Sequence, residues 1–204
     1  MKNKKLIPLR ECLTINLFDK NAVDLVALHE TGHVITMYAL GMMDKFSYVT
    51  KKAGTGTLGL TEITDEYKAA LQQLGNDIIQ SAGNLSTGGG ITQSLRWSRL
   101  EAARMYFPNI CRLFGGGAIC RYYHVPDEEM CSIDYNLIDT ILTAFNLTDE
   151  RATLLPLVDK YLNAIFASFD LLTKAIYKNL IEHETLQKED VMQIIKDWEE
   201  YKLF

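Results

Sequence analysis

Nothing in this 204-residue chain is spaced as a Cys-x-x-Cys pair. Its four cysteines stand apart at Cys12, Cys111, Cys120 and Cys131, which excludes a zinc ribbon or finger. Four thiols would suffice for two disulfides, but a chain of this size buries enough core without them, and free, buried thiols are expected. Long apolar runs are missing as well. None approaches the roughly 20 residues of a bilayer span, and the N-terminus has no signal-peptide core. The expectation is a soluble, cytoplasmic protein with no membrane insertion. Positive charge is not in excess: 21 Lys and Arg against 26 Asp and Glu leave a net charge of −5, which argues against a nucleic-acid partner. The basic residues Lys2, Lys4, Lys5 and Arg10 read as a solvated tail. Neither glycine-rich stretch, GTGTLG or GNLSTGGG, carries the Lys-Ser/Thr that a phosphate loop needs. No internal repeat or linker interrupts the chain, so residues 1–204 read as a single domain.

What is present is 48% hydrophobic residues in mostly helical patterns. Asp19 can cap a helix over 19–40, with Phe18 and Val23 as a hydrophobic staple and Gly41 as the left-handed stop. The stretch FSYVTKKAGTGTLGLTEI is β-branched and aromatic, broken by AGTGT, and predicts a hairpin or two short strands. Helical patterns follow over 65–81, 95–106, 109–123 (after Pro108), 134–145, 150–181 and 188–202. AGNLSTGGG reads as a flexible loop and Pro126-Asp127-Glu128 as a turn. The expected fold is mainly α, with one small β-hairpin or sheet. It divides into an N-terminal extension (1–18), a portion carrying the site (19–146) and C-terminal helices (147–204).

The first long helix contains VALHETGHVITMYALG, with two histidines and a glutamate inside an apolar run. An unpaired polar group buried there costs about 2–7 kcal/mol on transfer scales, so those groups need partners. His29-Glu30-Thr31-Gly32-His33 is an H-E-x-x-H sequence. Positions i and i+4 of a helix lie one turn apart on one face, so both imidazoles can reach one ion. Zinc accepts imidazole nitrogen and lowers the pKa of a water it activates, and Glu30 is placed to take that water's proton. The competing reading is a pair of core histidines bonded to backbone carbonyls. Half of the chain's four histidines lie in this motif, and the helix is apolar on nearly every side. Both facts favour the metal. A catalytic zinc usually has three protein ligands, and spacing does not name the third. His124, His183 and many carboxylates remain open.

In order, several segments resemble the peptidase domain of the FtsH family, the AAA+ zinc proteases. ALHETGH is similar to that family's H-E-A-G-H helix, and TLGLTE to its A-L-G-Y-T segment. FGGGAICRYY resembles its Gly-Gly helix, CSIDYNLIDTIL its S-N-D-L element, and LLTKAIYKNLIEHETLQKEDVMQII its C-terminal segment. The resemblance implies zinc on His29, His33 and Asp134, with Glu30 as the base. It also implies a strand around Gly59, Leu60 and Thr61 beside the cleft, where an extended polypeptide substrate adds by backbone hydrogen bonds. Among the rivals for third ligand, His124 is expected to end its helix near solvent. Asp139 falls on a different helix face from Asp134. The chain departs from the family in several ways. The stretch between TLGLTE and FGGGAIC is longer, Ile119, Cys120 and Arg121 replace acidic residues, and S-N-D-L becomes Ser132-Ile133-Asp134-Tyr135. The expectation is a zinc metallopeptidase acting on unfolded or extended polypeptides, either alone, as a homo-oligomer, or beside a separate ATPase. The alternative is a metal-stabilised, inactive binding module.

Overall fold

The computed structural model describes residues 4–52, 54, 58–85, 93–126, 131–144 and 147–203; for 77–85, 93–105 and 144 only the backbone is described. In chain order, the helices and strands are α1 (Leu9–Cys12), α2 (Leu25–Ala39), β1 (Phe46–Thr50), β2 (Leu60–Ile63), α3 (Asp65–Leu85), α4 (Gln93–Tyr122), α5 (Ser132–Ala144), α6 (Arg151–Ser168), α7 (Asp170–His183), β3 (Thr185–Gln187) and α8 (Lys188–Tyr201). A 3₁₀ turn, Thr148–Glu150, leads into α6. The fold is mainly α with one small antiparallel sheet, as expected. Among the described residues no helix is long and apolar enough to cross a membrane. The four cysteines are buried, and none is in a disulfide.

Helix α2 starts five residues later than expected. Asp24, not Asp19, is its N-cap: the Ala27 N–H donates to the Asp24 carboxylate at 3.0 Å, and Lys51 Nζ pairs with that carboxylate at 2.7 Å. Asp19 instead shapes the preceding turn, accepting from the N–H groups of Asn21 and Ala22. The staple does not form, because Phe18 turns outward and packs edge-on against Tyr123. At the other end Gly41 takes φ +67°. The Gly41 and Met42 N–H groups donate to the carbonyls of Tyr38 and Met37, a Schellman closure.

The predicted hairpin is β1 and β2, paired antiparallel with Val49 opposite Thr61. A third strand was not expected: β3 pairs antiparallel with the other edge of β1, giving the order β2-β1-β3 and leaving β2 at an edge. Glu184, in the left-handed conformation at φ 59°, ends α7 and turns the chain into β3, where Leu186 is fully buried. Two helix boundaries also differ from expectation. Pro108 does not split α4 but lies inside it. The long helix predicted over 150–181 is two, broken at Phe169, whose φ of −114° and ψ of 21° lie off the helical values. Helix α3 includes residues 82–85 of the predicted loop; residues 86–90, 127–128 and 145 of these expectations lie outside the described residues.

Helix α2 is the centre of the molecule. It packs against α4, α6, α7 and the sheet, and Leu28, Val34, Ile35 and Met37 are fully buried. Its crossing with α4 is a backbone contact. A Cβ on Gly32 would lie 2.4 Å from the Gly115 carbonyl oxygen, and one on Gly115 would lie 2.5 Å from Thr36 Oγ1. Only glycine permits that approach. The segment before α2 joins the same body: Cys12 and Leu17 are buried, and Asn179 of α7 accepts from the Ile7 N–H at 2.8 Å.

Candidate metal centre

His29, Glu30 and His33 project from the buried middle of α2, each with 5% or less of its surface exposed. The His29 Nε2 and His33 Nε2 atoms are 3.0 Å apart. Asp134, in the first turn of α5, brings its Oδ2 to 3.1 Å from His29 Nε2 and 3.3 Å from His33 Nε2. Zinc-to-ligand distances of about 2.0–2.1 Å set tetrahedral edges of about 3.3–3.4 Å, so these three atoms nearly form one face of such a tetrahedron. The three form the one group of metal-ligating type found among the described residues.

The tautomer supports the same use. His33 Nδ1 is 2.7 Å from the Arg112 carbonyl oxygen, which can only accept, so Nδ1 carries the proton and Nε2 presents its lone pair. His29 Nδ1 faces the Cys131 sulfur at 3.9 Å. Burial would push the His33 imidazole down, but Asp134 and Glu30 together with the Arg112 carbonyl raise it. Burial would likewise raise the Asp134 carboxyl, yet the two imidazoles hold it well below the usual carboxylate range. The same attraction favours a cation in this place. Room for one is kept by Gly116 of α4: a Cβ there would stand 2.5 Å from His29 Nε2 and 2.7 Å from His33 Nε2. The residues fit a metal ion.

A cleft of about 310 Å³ opens beside the cluster. Glu30 lines it, and its Oε2 accepts from Thr61 Oγ1 at 2.6 Å. Gly59, Leu60 and Thr61 line it as well. A Cβ on Gly59 would lie 2.8 Å from Glu30 Oε1, so glycine sets how closely the strand approaches this carboxylate. The structure thus gathers His29, Glu30, His33, Asp134, Gly59, Leu60 and Thr61 around one cleft. The rivals for third ligand lie elsewhere. His124 is exposed, with φ 60° just past the end of α4; Asp139 pairs with Arg151 Nε at 2.5 Å; His183 ends α7.

The chain matches no family model, no curated protein and no solved structure. Its chemistry therefore has to be read from the residues in place. Sequence reasoning passed over two of them. Gly116 had a signal, since glycines inside a helix mark a close backbone approach. Arg112 had none, because nothing local distinguishes a carbonyl that orients a histidine 79 residues away. Arg121, which takes the place of an acidic residue in the resembling motif, is structural. It pairs with Asp159 at 2.7 Å and lies over the Phe114 ring.

Proposed function

We propose that the protein is a zinc-dependent endopeptidase that hydrolyses unfolded or extended polypeptides. The observation that carries this reading is the convergence of His29 Nε2, His33 Nε2 and Asp134 Oδ2 within 3.3 Å of one another, with the Glu30 carboxylate in the adjoining cleft. Those three atoms would hold the ion. Zinc held there would supply Lewis acidity to a peptide carbonyl and to water near neutral pH. Glu30 accepts the water's proton as the water oxygen bonds to the carbonyl carbon. It then delivers that proton to the amide nitrogen as the C–N bond breaks, so one water is consumed and one acid and one amine are formed. Thr61 orients Glu30 through its 2.6 Å hydrogen bond. The unpaired edge of β2 offers backbone groups to an extended chain, and Leu58, Ile133 and Leu137 give the cleft an apolar rim.

A folded substrate presents no such extended segment, so unfolding would come from another agent, such as a separate ATPase. The buried cysteines, none in a disulfide, suit a reducing compartment such as the cytoplasm. Zinc content and digestion of an unfolded protein by wild type, His29→Ala and Glu30→Gln test the reading together. About one zinc per chain is expected in wild type and Glu30→Gln, less in His29→Ala, and hydrolysis lower by at least about 10²-fold in Glu30→Gln. Equal zinc in all three refutes the site. Bound zinc without hydrolysis in wild type replaces the enzyme by a metal-stabilised binding module.

A further inference from the structure

One charged group in the cleft has no part in the metal site or the hydrolysis. Arg112 of α4 lines the cleft and is only 9% exposed. Its Nε–H donates to Asn109 Oδ1 at 3.0 Å, and Asn109 is itself buried. Neither terminal nitrogen of the guanidinium has a hydrogen-bond or ion-pair partner among the described residues. Arginine is rarely buried without such a partner. Burial pushes this guanidinium down, while Asp134, Tyr67, Glu30 and Glu62 attract it without contact.

The charges of the cleft show what is missing. Lys68 and Glu62 form an ion pair. A divalent ion on the three donor atoms would be balanced by the carboxylates of Asp134 and Glu30. The positive charge of Arg112 then has no carboxylate in contact with it among the described residues. An anion brought by the substrate would match it.

The position on α4 places Arg112 relative to the metal-type cluster. Gly116, which abuts both Nε2 atoms, is four residues beyond Arg112, about 6 Å along the helix. Helical side chains lean toward the N-terminus, and the Arg112 bond to Asn109 has that direction. Arg112 is thus offset along α4 from the glycine that abuts the two imidazoles, while still lining the same cleft. We propose that Arg112 binds a substrate carboxylate in this cleft, supplied by the chain's C-terminus or by an Asp or Glu side chain. The planar guanidinium fork matches a carboxylate. The inference rests on the peptidase reading for its substrate, but a binding experiment separates the two.

The probe is a set of acetylated Ala/Leu hexapeptides carrying a fluorophore: one with a free C-terminus, one amidated, and one amidated with a single internal Glu. Their affinities are measured on zinc-loaded Glu30→Gln protein, which holds the peptide without turning it over, and again with Arg112→Met or Arg112→Lys added. At least one carboxylate peptide is expected to bind about tenfold or more tighter than the uncharged amide, the gain of one charge-assisted hydrogen bond. Which of the two does so identifies the source. The preference should vanish in Arg112→Met and survive in part in Arg112→Lys, with the uncharged amide unaffected. Equal affinities for all three peptides overturn the inference, as does a preference that persists in Arg112→Met, which would mean that the carboxylate goes to the metal. If Arg112→Met does not fold, full retention of the preference in Arg112→Lys is the overturning result. Hydrolysis of all three peptides by wild type at equal rates removes this inference and leaves the peptidase standing. Carboxylate binding lost with Arg112, in a protein that hydrolyses nothing, removes the peptidase and keeps the anion site.

Discussion

Gly116→Ala places one methyl group against the metal cluster. The added carbon would stand 2.5 Å from His29 Cε1 and Nε2 and 2.7 Å from His33 Nε2. Comfortable carbon contacts begin near 3.5 Å, so something must move by about 1 Å. Helix α4 cannot tilt away at Gly116 alone, because Gly32 and Gly115 lock its crossing with α2 one residue earlier. The imidazoles must give way. His33 resists through its 2.7 Å bond to the Arg112 carbonyl, so the donor triangle is distorted well beyond the roughly 0.2 Å tolerance of a zinc site. Overpacking costs about 1–3 kcal/mol, partly offset by about 1 kcal/mol from replacing a mid-helix glycine. The fold should survive, while zinc affinity falls about 100-fold.

Thermal unfolding with and without zinc reads this directly. At a free zinc concentration 100 times the wild-type Kd, binding stabilises the protein by about 2.7 kcal/mol; a site 100-fold weaker retains about 0.4 kcal/mol. For a chain of this size that is a rise in Tm of about 5–11 °C in wild type and about 1–2 °C in the variant. The control is Gly41→Ala. Nothing lies within 4 Å of its Cβ, but φ of +67° makes alanine cost about 1–2 kcal/mol. It should lower the Tm of the apoprotein and leave the zinc-induced rise intact. Equal zinc-induced rises in Gly116→Ala and wild type would refute the placement of the ion.

Asp134→Ala should lower zinc affinity and abolish hydrolysis, while His124→Ala and Asp139→Ala keep zinc bound; metal titration of the three compares them, and equal affinities would exclude Asp134. Asp24→Ala should destabilise by about 1 kcal/mol through loss of the α2 cap, measured by urea unfolding at pH 7. Burial would raise the Asp24 carboxyl, but Lys51 and the Ala27 N–H hold it below its usual value. Its contribution is therefore complete above the unfolded pKa of about 3.9 and is lost as pH falls through the lower folded value. The stability difference between wild type and Asp24→Ala should shrink as acid protonates the folded carboxyl, and a difference that stays constant throughout acid titration would contradict the assignment. Thr61→Val should leave zinc content unchanged and lower kcat, since only the 2.6 Å bond that orients Glu30 is removed.

Helix α2 was legible because periodicity and chemistry disagree there: histidines at i and i+4 in an apolar helix need a partner. The hairpin was legible from its β-branched residues and its glycine break. Asp19 and Asp24 look alike to a capping rule, and what separates them is Lys51, which reaches Asp24 from just beyond β1. Strand β3 is three residues long and its partner lies about 135 positions away, so no local pattern carries it. Phe169 breaks a helix without glycine or proline, and Pro108 fails to break one; tertiary packing overrides both local rules. The expected third metal ligand came from the resemblance, not from spacing. Geometry now groups Asp134 with the two histidines on distances alone.

The pairing of β3 with β1 also bears on the order of assembly. Thr50 Oγ1 and Thr185 Oγ1 meet at 2.8 Å across 135 positions, and Asn179 pins Ile7 across 172. Closing loops of that length costs only logarithmically more free energy than closing short ones, but it slows folding. Helix α2 and the β1–β2 hairpin are therefore complete, as a stretch of chain, long before the strand that braces β1 exists. A growing or truncated chain that stops short of Thr185 carries both histidines and Glu30, yet lacks the far edge of the sheet facing them. Bracing of β1 on that side therefore waits for a strand that lies beyond α7.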